Sequence, residues 1–384
     1  MQAMTEQEVI SLLRSLVEIP SPTGEERELA NFIASYTETT GFSSTLISDH
    51  WDVVARVSGS MPGPKILFLT HTDHSKPSLL SSAYSAEITD GEKFGKRGKV
   101  ITGKGSCAPK GTLAAMLYAG KTLAALKIRL RGSFTLAAVT RDLWINHDGV
   151  REVADRGWID SDMAIVGEPS GNQPAVGARG IYHFAITIEG KPTHWGSPKE
   201  GINPIWGIPD LLKLIEQMTH FLPSHPSLGE ATLVPIDIRC EVSPPLTPKY
   251  CTIVLDRRTL PGEDRQIIAN DVEKKVKEFS SPEQRGSFQL MKEMYPFKGD
   301  PESFITKKLM HVQRVITGEN PKIGYLSFAS NGGFLTEKML IPSVAYGPGK
   351  ITDLTPIEHV EISKVLLASK VYVGTALEIL TADM

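Results

Sequence analysis

The run Ile66-Leu67-Phe68-Leu69-Thr70 is apolar almost to its end and stops on His71-Thr72-Asp73-His74. A strand that alternates apolar and polar residues can leave one face in water, but a continuous apolar run must be covered on both faces. This segment therefore demands a sheet with helices on each side. It also puts a histidine and an aspartate at the carboxyl end of an interior strand, the edge where open α/β sheets bind ligands. A second site-building stretch is Gly103-Lys104-Gly105-Ser106-Cys107-Ala108-Pro109-Lys110-Gly111, a glycine-rich loop that leads into the helical sequence Thr112-Leu113-Ala114-Ala115-Met116-Leu117.

Around these the periodicity predicts further strands at about 44–48, 53–57, 134–140, 163–166 and 343–346, with a last helix over 362–380. Thr5 with Glu8 and Thr23 with Glu26 have capping-box spacing and predict the starts of the first two helices. The turn Ile19-Pro20-Ser21-Pro22 lies between those helices, and residues 75–99 read as a polar loop. His147-Asp148 is expected to cap the helix that follows it.

Beyond Gly177 the order becomes strand 181–188, helix 205–218, strands 231–242 and 250–257, helix 264–279 and strand 287–292. That β-α-β-β-α-β order is ferredoxin-like. The fold class expected is α/β, a mixed-sheet domain over 1–177 and 295–384 with an α+β lid inserted at 178–294. At 384 residues the chain is long enough for both.

A net charge of -3 gives no footprint for nucleic acid or an anionic membrane, and no apolar run reaches bilayer length. Cys107, Cys240 and Cys251 are an odd number and far apart, which reads as free thiols in a reducing compartment. With no cationic, apolar leader at its start, the chain is expected to be cytoplasmic.

Taken together, the motifs resemble the aminoacylase, acetylornithine deacetylase and desuccinylase family of co-catalytic zinc metallopeptidases. The resemblance rests on Ile19-Pro20-Ser21, His71-x-Asp73, the Gly103–Gly111 loop, Gly167-Glu168-Pro169 and Gly177-x-Arg179-Gly180. It continues through Gly190-Lys191-Pro192-Thr193-His194, Gly201-x-Asn203, Asp256-x-Arg258, Tyr346-Gly347-Pro348-Gly349 and Thr355-Pro356-x-Glu358. It covers nearly the whole chain and implies a zinc-peptidase-like domain with a lid that forms homodimers.

The same resemblance implies two metal ions, with His71 and Glu168 as ligands of the first. The bridging aspartate, however, corresponds to Ala108, and the second ion's further ligands correspond to Trp144 and Leu354. The general base corresponds to Leu143. A catalytic zinc normally has three protein ligands, so no metal cofactor is expected. The exception is a single zinc or other divalent ion held by His71, Glu168 and a newcomer such as His74, Asp353 or Cys107. The four replacements are apolar, which predicts a cavity packed anew. In the family the peptide bond after the bridging aspartate is cis, and the Ala108-Pro109 bond is expected to be cis as well. Before proline that form costs only about 0.5–1 kcal/mol.

The candidate catalytic residues are His71, Asp73, Cys107, Glu168 and His194. Cys107 would be a nucleophile beside a His71 oriented by Asp73, since an adjacent imidazole lowers a thiol pKa. Without a metal, Glu168 must pair with a cation or hold a proton, and His71 is the expected partner. By resemblance, His194 polarises the scissile carbonyl across a dimer interface and Arg258 holds a substrate carboxylate, with Arg179, Asn203 and Asn331 as further substrate-binding positions. Three functions are open: a hydrolase of a small carboxylate-bearing amide with little or no metal dependence, a non-catalytic carboxylate binder or regulator of a paralogue, and a conventional two-zinc amidohydrolase. The first is favoured and the last is placed lowest.

Overall fold

The computed structural model describes residues 5–77, 83–126, 130–280 and 285–381. The chain divides into two compact units. The first runs to Gly177 and resumes over Phe297–Leu326 and from Ser330 onward; the second is Ala178–Pro296 with Ser327–Ala329.

In the first unit the strand Met61–His71 lies between Arg131–Val139 and Met163–Gly167 and is parallel to both. Ser343–Tyr346 continues the parallel set beyond Met163–Gly167, while Val53–Ser58 adds antiparallel on the other side. Residues Ile66, Leu67, Phe68 and Leu69 are fully buried, as their lack of alternation requires. The helices Gly111–Ala125 and Ile362–Leu380 contribute to the same apolar core. Phe68 sits at its centre, its ring 4.9 Å from Phe134 and 5.2 Å from Tyr372.

Several local expectations fail for identifiable reasons. The first helix is Glu6–Glu18, but Thr5 makes no side-chain cap. The second is Arg27–Thr39, and neither residue of its expected box caps it. Thr23 donates to the Asp73 carboxylate, and Glu26 accepts the Arg141 N–H. Tertiary partners took both side chains away from the helix end. Strands Glu87–Asp90 and Lys99–Thr102 form a small sheet with His359–Glu361 where a loop was expected. Glu87–Asp90 is mostly polar and exposed, so no periodicity marks it; residues 78–82 of that stretch lie outside the described residues.

The second unit has an antiparallel sheet in the order Thr232–Cys240, Tyr250–Thr259, Gly180–Glu189, Arg285–Met294. With helices Ile208–Thr219 and Arg265–Phe279, this is the ferredoxin-like arrangement. The first helix starts later than 205 because Pro209 sets its first turn. The free-thiol expectation is corrected here: Cys240 and Cys251 face each other across the hairpin and form a disulfide. Antiparallel pairing makes them neighbours, and the argument for a reducing compartment loses its premise. Cys107 is free and buried.

Phe68→Ala should leave a cavity at the junction of sheet and helix and cost about 3–5 kcal/mol of unfolding free energy, read by urea titration.

Candidate functional site

The site of the first unit is built at the carboxyl ends of its parallel strands. Met61–His71 delivers His71 and Asp73, Met163–Gly167 delivers Glu168, and Arg131–Val139 runs into the turn that carries Asp142. Asp73 is the most heavily bonded group. It takes His71 Nδ1 at 3.2 Å, the N–H of Asp142 at 3.1 Å, the N–H of Leu143 at 3.1 Å and the Thr23 hydroxyl at 2.8 Å. Asp142 accepts from Asn331 Nδ2 at 2.7 Å, and Asn331 Oδ1 lies 2.8 Å from His147 Nδ1. Among the described residues His71 Nε2 makes no hydrogen bond.

The turn holding Asp142 is unusual in its backbone. Arg141, Ile145 and His147 all have positive φ, at 58°, 58° and 55°. For non-glycine residues, and above all for β-branched Ile145, that conformation is unfavourable and is kept only where its surroundings impose it. Asp73 and Glu26 impose it by accepting the N–H groups of residues 141–143.

Charge follows from this crowding. Burial by itself would lower the proton affinity of His71, but Asp142, Asp73 and Glu168 outweigh it and raise its pKa to about 10. Burial raises Glu168 to about 8, helped by Asp142 and opposed by His71 and a hydrogen bond from Ser330. Burial also raises Asp142, with Asp73 adding to it. Asp73 is buried too, yet its hydrogen bonds from His71, Leu143 and Thr23 and the charge on His71 hold it below the usual carboxylate range. The result is an imidazolium ringed by three carboxyl groups, one of them ionised at every ordinary pH.

The glycine-rich loop is anchored separately. The Ala108-Pro109 bond is cis, as expected. The Glu358 carboxylate accepts from the N–H groups of Cys107 and Ala108, at 3.1 and 3.2 Å. The buried Lys110 donates to the Ile19 carbonyl, which ties the loop to the turn between the first helices.

Several expected roles do not fit these positions. The Cys107 thiol donates to the Lys350 carbonyl, and burial, Glu358 and Asp353 push its pKa well up. Such a thiol is a poor nucleophile. The expected ion pair of His71 with Glu168 is replaced by His71 with Asp73. Asn331 is buried, its Nδ2 donating to Asp142 and its Oδ1 facing His147, so it positions Asp142. His147 serves Asn331 and makes no side-chain cap on the helix Asp148–Asp155. The apolar replacements have not closed a cavity: Leu143, Trp144 and Leu354 are 43%, 46% and 40% exposed, and Trp144 rests near Gly24.

In the second unit, Arg258 Nε donates to Asp256 at 2.7 Å, whose other oxygen lies 2.9 Å from His183 Nε2. Arg179 donates to the Leu228 carbonyl, and Asn203 Oδ1 accepts from Ile205 N–H. His194 is exposed, its Nδ1 accepting from Gly196 N–H at 3.0 Å. Asp142 is absent from the expected site, Glu26 is expected only as a helix cap and Glu358 only as part of a motif. The pattern Thr140-x-Asp142 directly after a buried strand was the available signal for Asp142.

Residues 176–283 match the peptidase dimerisation domain of the M20 family. A peptidase M20 domain-containing protein of Schizosaccharomyces pombe is 32% identical over 230 residues, 59% of this chain and 54% of that protein. The chain thus spans about half the length of that relative. The N-formyl-4-amino-5-aminomethyl-2-methylpyrimidine deformylase of Halalkalibacterium halodurans is 25% identical over 95% of this chain and 92% of its own. A tripeptidase structure from Staphylococcus aureus superposes with a TM-score of 0.76 over 98% of this chain and 99% of that one, at 18% identity, which shows a common fold. The second unit thus carries the M20 peptidase dimerisation domain, and the chain is similar to M20 peptidases.

The similarity to M20 peptidases raises the question of zinc. At the positions that correspond to the two-ion site, His71 and Glu168 have donor atoms suited to a dication; Ala108, Trp144 and Leu354 have none. The possible newcomers are committed elsewhere. His74 uses Nδ1 toward the Ser75 carbonyl and Nε2 toward Ser21 N–H, Asp353 pairs with Lys96 at 2.6 Å, and Cys107 serves Lys350. Among the described residues no three His, Cys, Asp or Glu side chains group as a metal site. The residues present do not fit the M20 ion pair.

The raised pKa values fix a pH dependence for chelator-treated protein. His71, lifted from 6.5 to about 10, stabilises the fold fully below pH 6.5 and loses that contribution as pH rises toward 10. Glu168, lifted from 4.5 to about 8, binds its proton more tightly when folded, so stability falls between those values too. Unfolding free energy should therefore decline from pH 6.5 to 9. Glu168→Gln should flatten the part of that slope below pH 8, and an unchanged slope would contradict the assignment.

Proposed function

We propose that this chain is an M20 hydrolase of a small carboxylate-bearing amide that works without the family's pair of zinc ions. The observation that carries the reading is the buried His71 imidazolium at the strand ends, its Nδ1 fixed by Asp73 and its Nε2 left for a ligand. A fixed positive charge of this kind can polarise an amide carbonyl in a water-poor site. Glu168, with a proton affinity near neutrality, is suited to take a proton from the attacking water and return it to the leaving amine as the C–N bond breaks. Within the second unit, Arg258, an accessible guanidinium beside Asp256, is proposed to bind a carboxylate. The deformylase relative supports the amide as reacting group, since its name describes removal of an N-formyl group.

The test is turnover of N-acyl amino acids and dipeptides by protein treated with chelator. Activity should persist, fall at least about 100-fold in Glu168→Gln and His71→Asn, and stay within about twofold in Cys107→Ala, whose thiol takes no part. Activity that appears only with two zinc ions bound per chain would overturn the reading.

One observation favours a second reading. Leu143 stands where the resemblance places the general base, and it can move no proton. If no amide is turned over, the chain is a carboxylate-binding member, stabilised by small carboxylates in thermal-shift measurements; Arg258→Ala should abolish that stabilisation.

We also propose a homodimer through the second unit. Its edge strand Thr232–Cys240 exposes Val234, Ile236 and Ile238, an open apolar edge of the kind that pairs with a second chain. The double variant Ile236→Asp/Ile238→Asp should be monomeric by light scattering while the parent chain is dimeric.

A further inference from the structure

A cavity of about 530 Å³ lies in the first unit, away from the strand ends that carry His71 and Glu168. Its wall is one face of the helix Ile362–Leu380. Ile362, Leu366 and Lys370 follow one another at four-residue spacing, and Leu367 lies beside them, so the stripe is apolar with a cation at its end. Opposite stand Arg97 and Lys99, on either side of Gly98, whose φ of 78° sets the turn. The end of the helix Phe304–Thr317 adds Ile316, 39% exposed to this space.

The chemistry of this lining is consistent. The cavity has three cations, Arg97, Lys99 and Lys370, against the single carboxylate of Glu6, in a chain whose net charge is -3. Lys99 lies 3.6 Å from Asp90 on the surface, while Arg97 and Lys370 have no ion-pair partner among the described residues. A polar rim over an apolar floor, in a space of about 300–1,000 Å³, is how small-ligand sites are built. Ile316 is the exposed apolar side chain of this lining, Ile362 and Leu367 are half-buried, and Leu366 belongs to the core beneath them, while Arg97 and Lys370 line the same cavity.

We infer that this cavity binds an anionic amphiphile, a short acyl chain that ends in a carboxylate. The carboxylate meets Arg97 and Lys370, and the chain covers Ile316, Ile362 and Leu367. The inference is independent of the proposed hydrolase, because none of these residues belongs to that centre.

The test uses the full chain and octanoate in isothermal titration calorimetry. Octanoate should bind saturably, one per chain, and acetate should bind at least about tenfold more weakly, because each methylene covered by the floor is worth roughly fourfold in affinity. Octylamine, with the same chain and the opposite charge, should not bind. The double variant Arg97→Glu/Lys370→Glu changes two exposed side chains, so circular dichroism should show an unaltered fold while octanoate affinity falls at least tenfold. No saturable octanoate binding at millimolar concentration, or affinity unchanged in that variant, overturns the inference. A second variant, Ile316→Ser, should weaken octanoate and leave the weak response to acetate unchanged; equal effects on both would also sink it.

Discussion

The carboxylate of Asp73 is the interaction on which the candidate site depends. It accepts from His71, Thr23, Asp142 and Leu143, so one side chain holds together the end of an interior strand, the turn between the first helices and the turn after a neighbouring strand. Hydrogen bonds to an ionised acceptor are the strong ones, and inside a protein they lose little to competing water. They offset a local cost. Three non-glycine residues with positive φ within residues 141–147 would each be unfavourable by about 1–3 kcal/mol, and the segment keeps that shape because its N–H groups have fixed acceptors.

That arrangement explains how the centre can hold so much charge in so little water. An isolated buried carboxylate is expensive, and three with one cation would repel one another if all were ionised. The protons settle instead according to hydrogen bonding. Asp73, with the most donors, stays ionised; His71 takes the positive charge; Glu168 and Asp142 hold their protons more tightly than usual. The imidazolium is a fixed positive charge at the strand ends. It supplies only one charge, and it brings no open coordination position.

What the sequence disclosed follows the same physics. The interior strand was legible because continuous burial leaves a continuous apolar run, and the lid because alternation and helical period changed together beyond Gly177. The family resemblance was legible in motifs spread along nearly the whole chain, and it carried the cis bond at Ala108-Pro109 with it. The roles of Thr23 and Glu26 were not legible. Local spacing favoured a capping box for each, and the competing partners, Asp73 and Arg141, are distant in sequence. The disulfide was hidden for a similar reason, since Cys240 and Cys251 become neighbours only through the register of a hairpin. Asn331, a substrate-binding position by resemblance, has its amide oriented by Asp142 and His147, both distant in sequence.

The apolar residues at the positions that the resemblance assigns to metal ligands are the most informative departure. An interior that loses a dication might be expected to collapse, with leucine and tryptophan filling the space. Leu143 and Trp144 instead point outward, because the backbone of their turn is fixed before their side chains are considered: the N–H of Leu143 is bound by Asp73 and that of its neighbour by the same carboxylate. With the turn pinned, side-chain volume cannot move inward to replace charge. The space beside His71 is therefore left to Asp142, the residue of the turn whose side chain Asn331 holds, and to Glu168, held by Ser330, and both are polar. Apolar side chains at Ala108, Trp144 and Leu354 thus leave the centre polar and do not turn it into an apolar core.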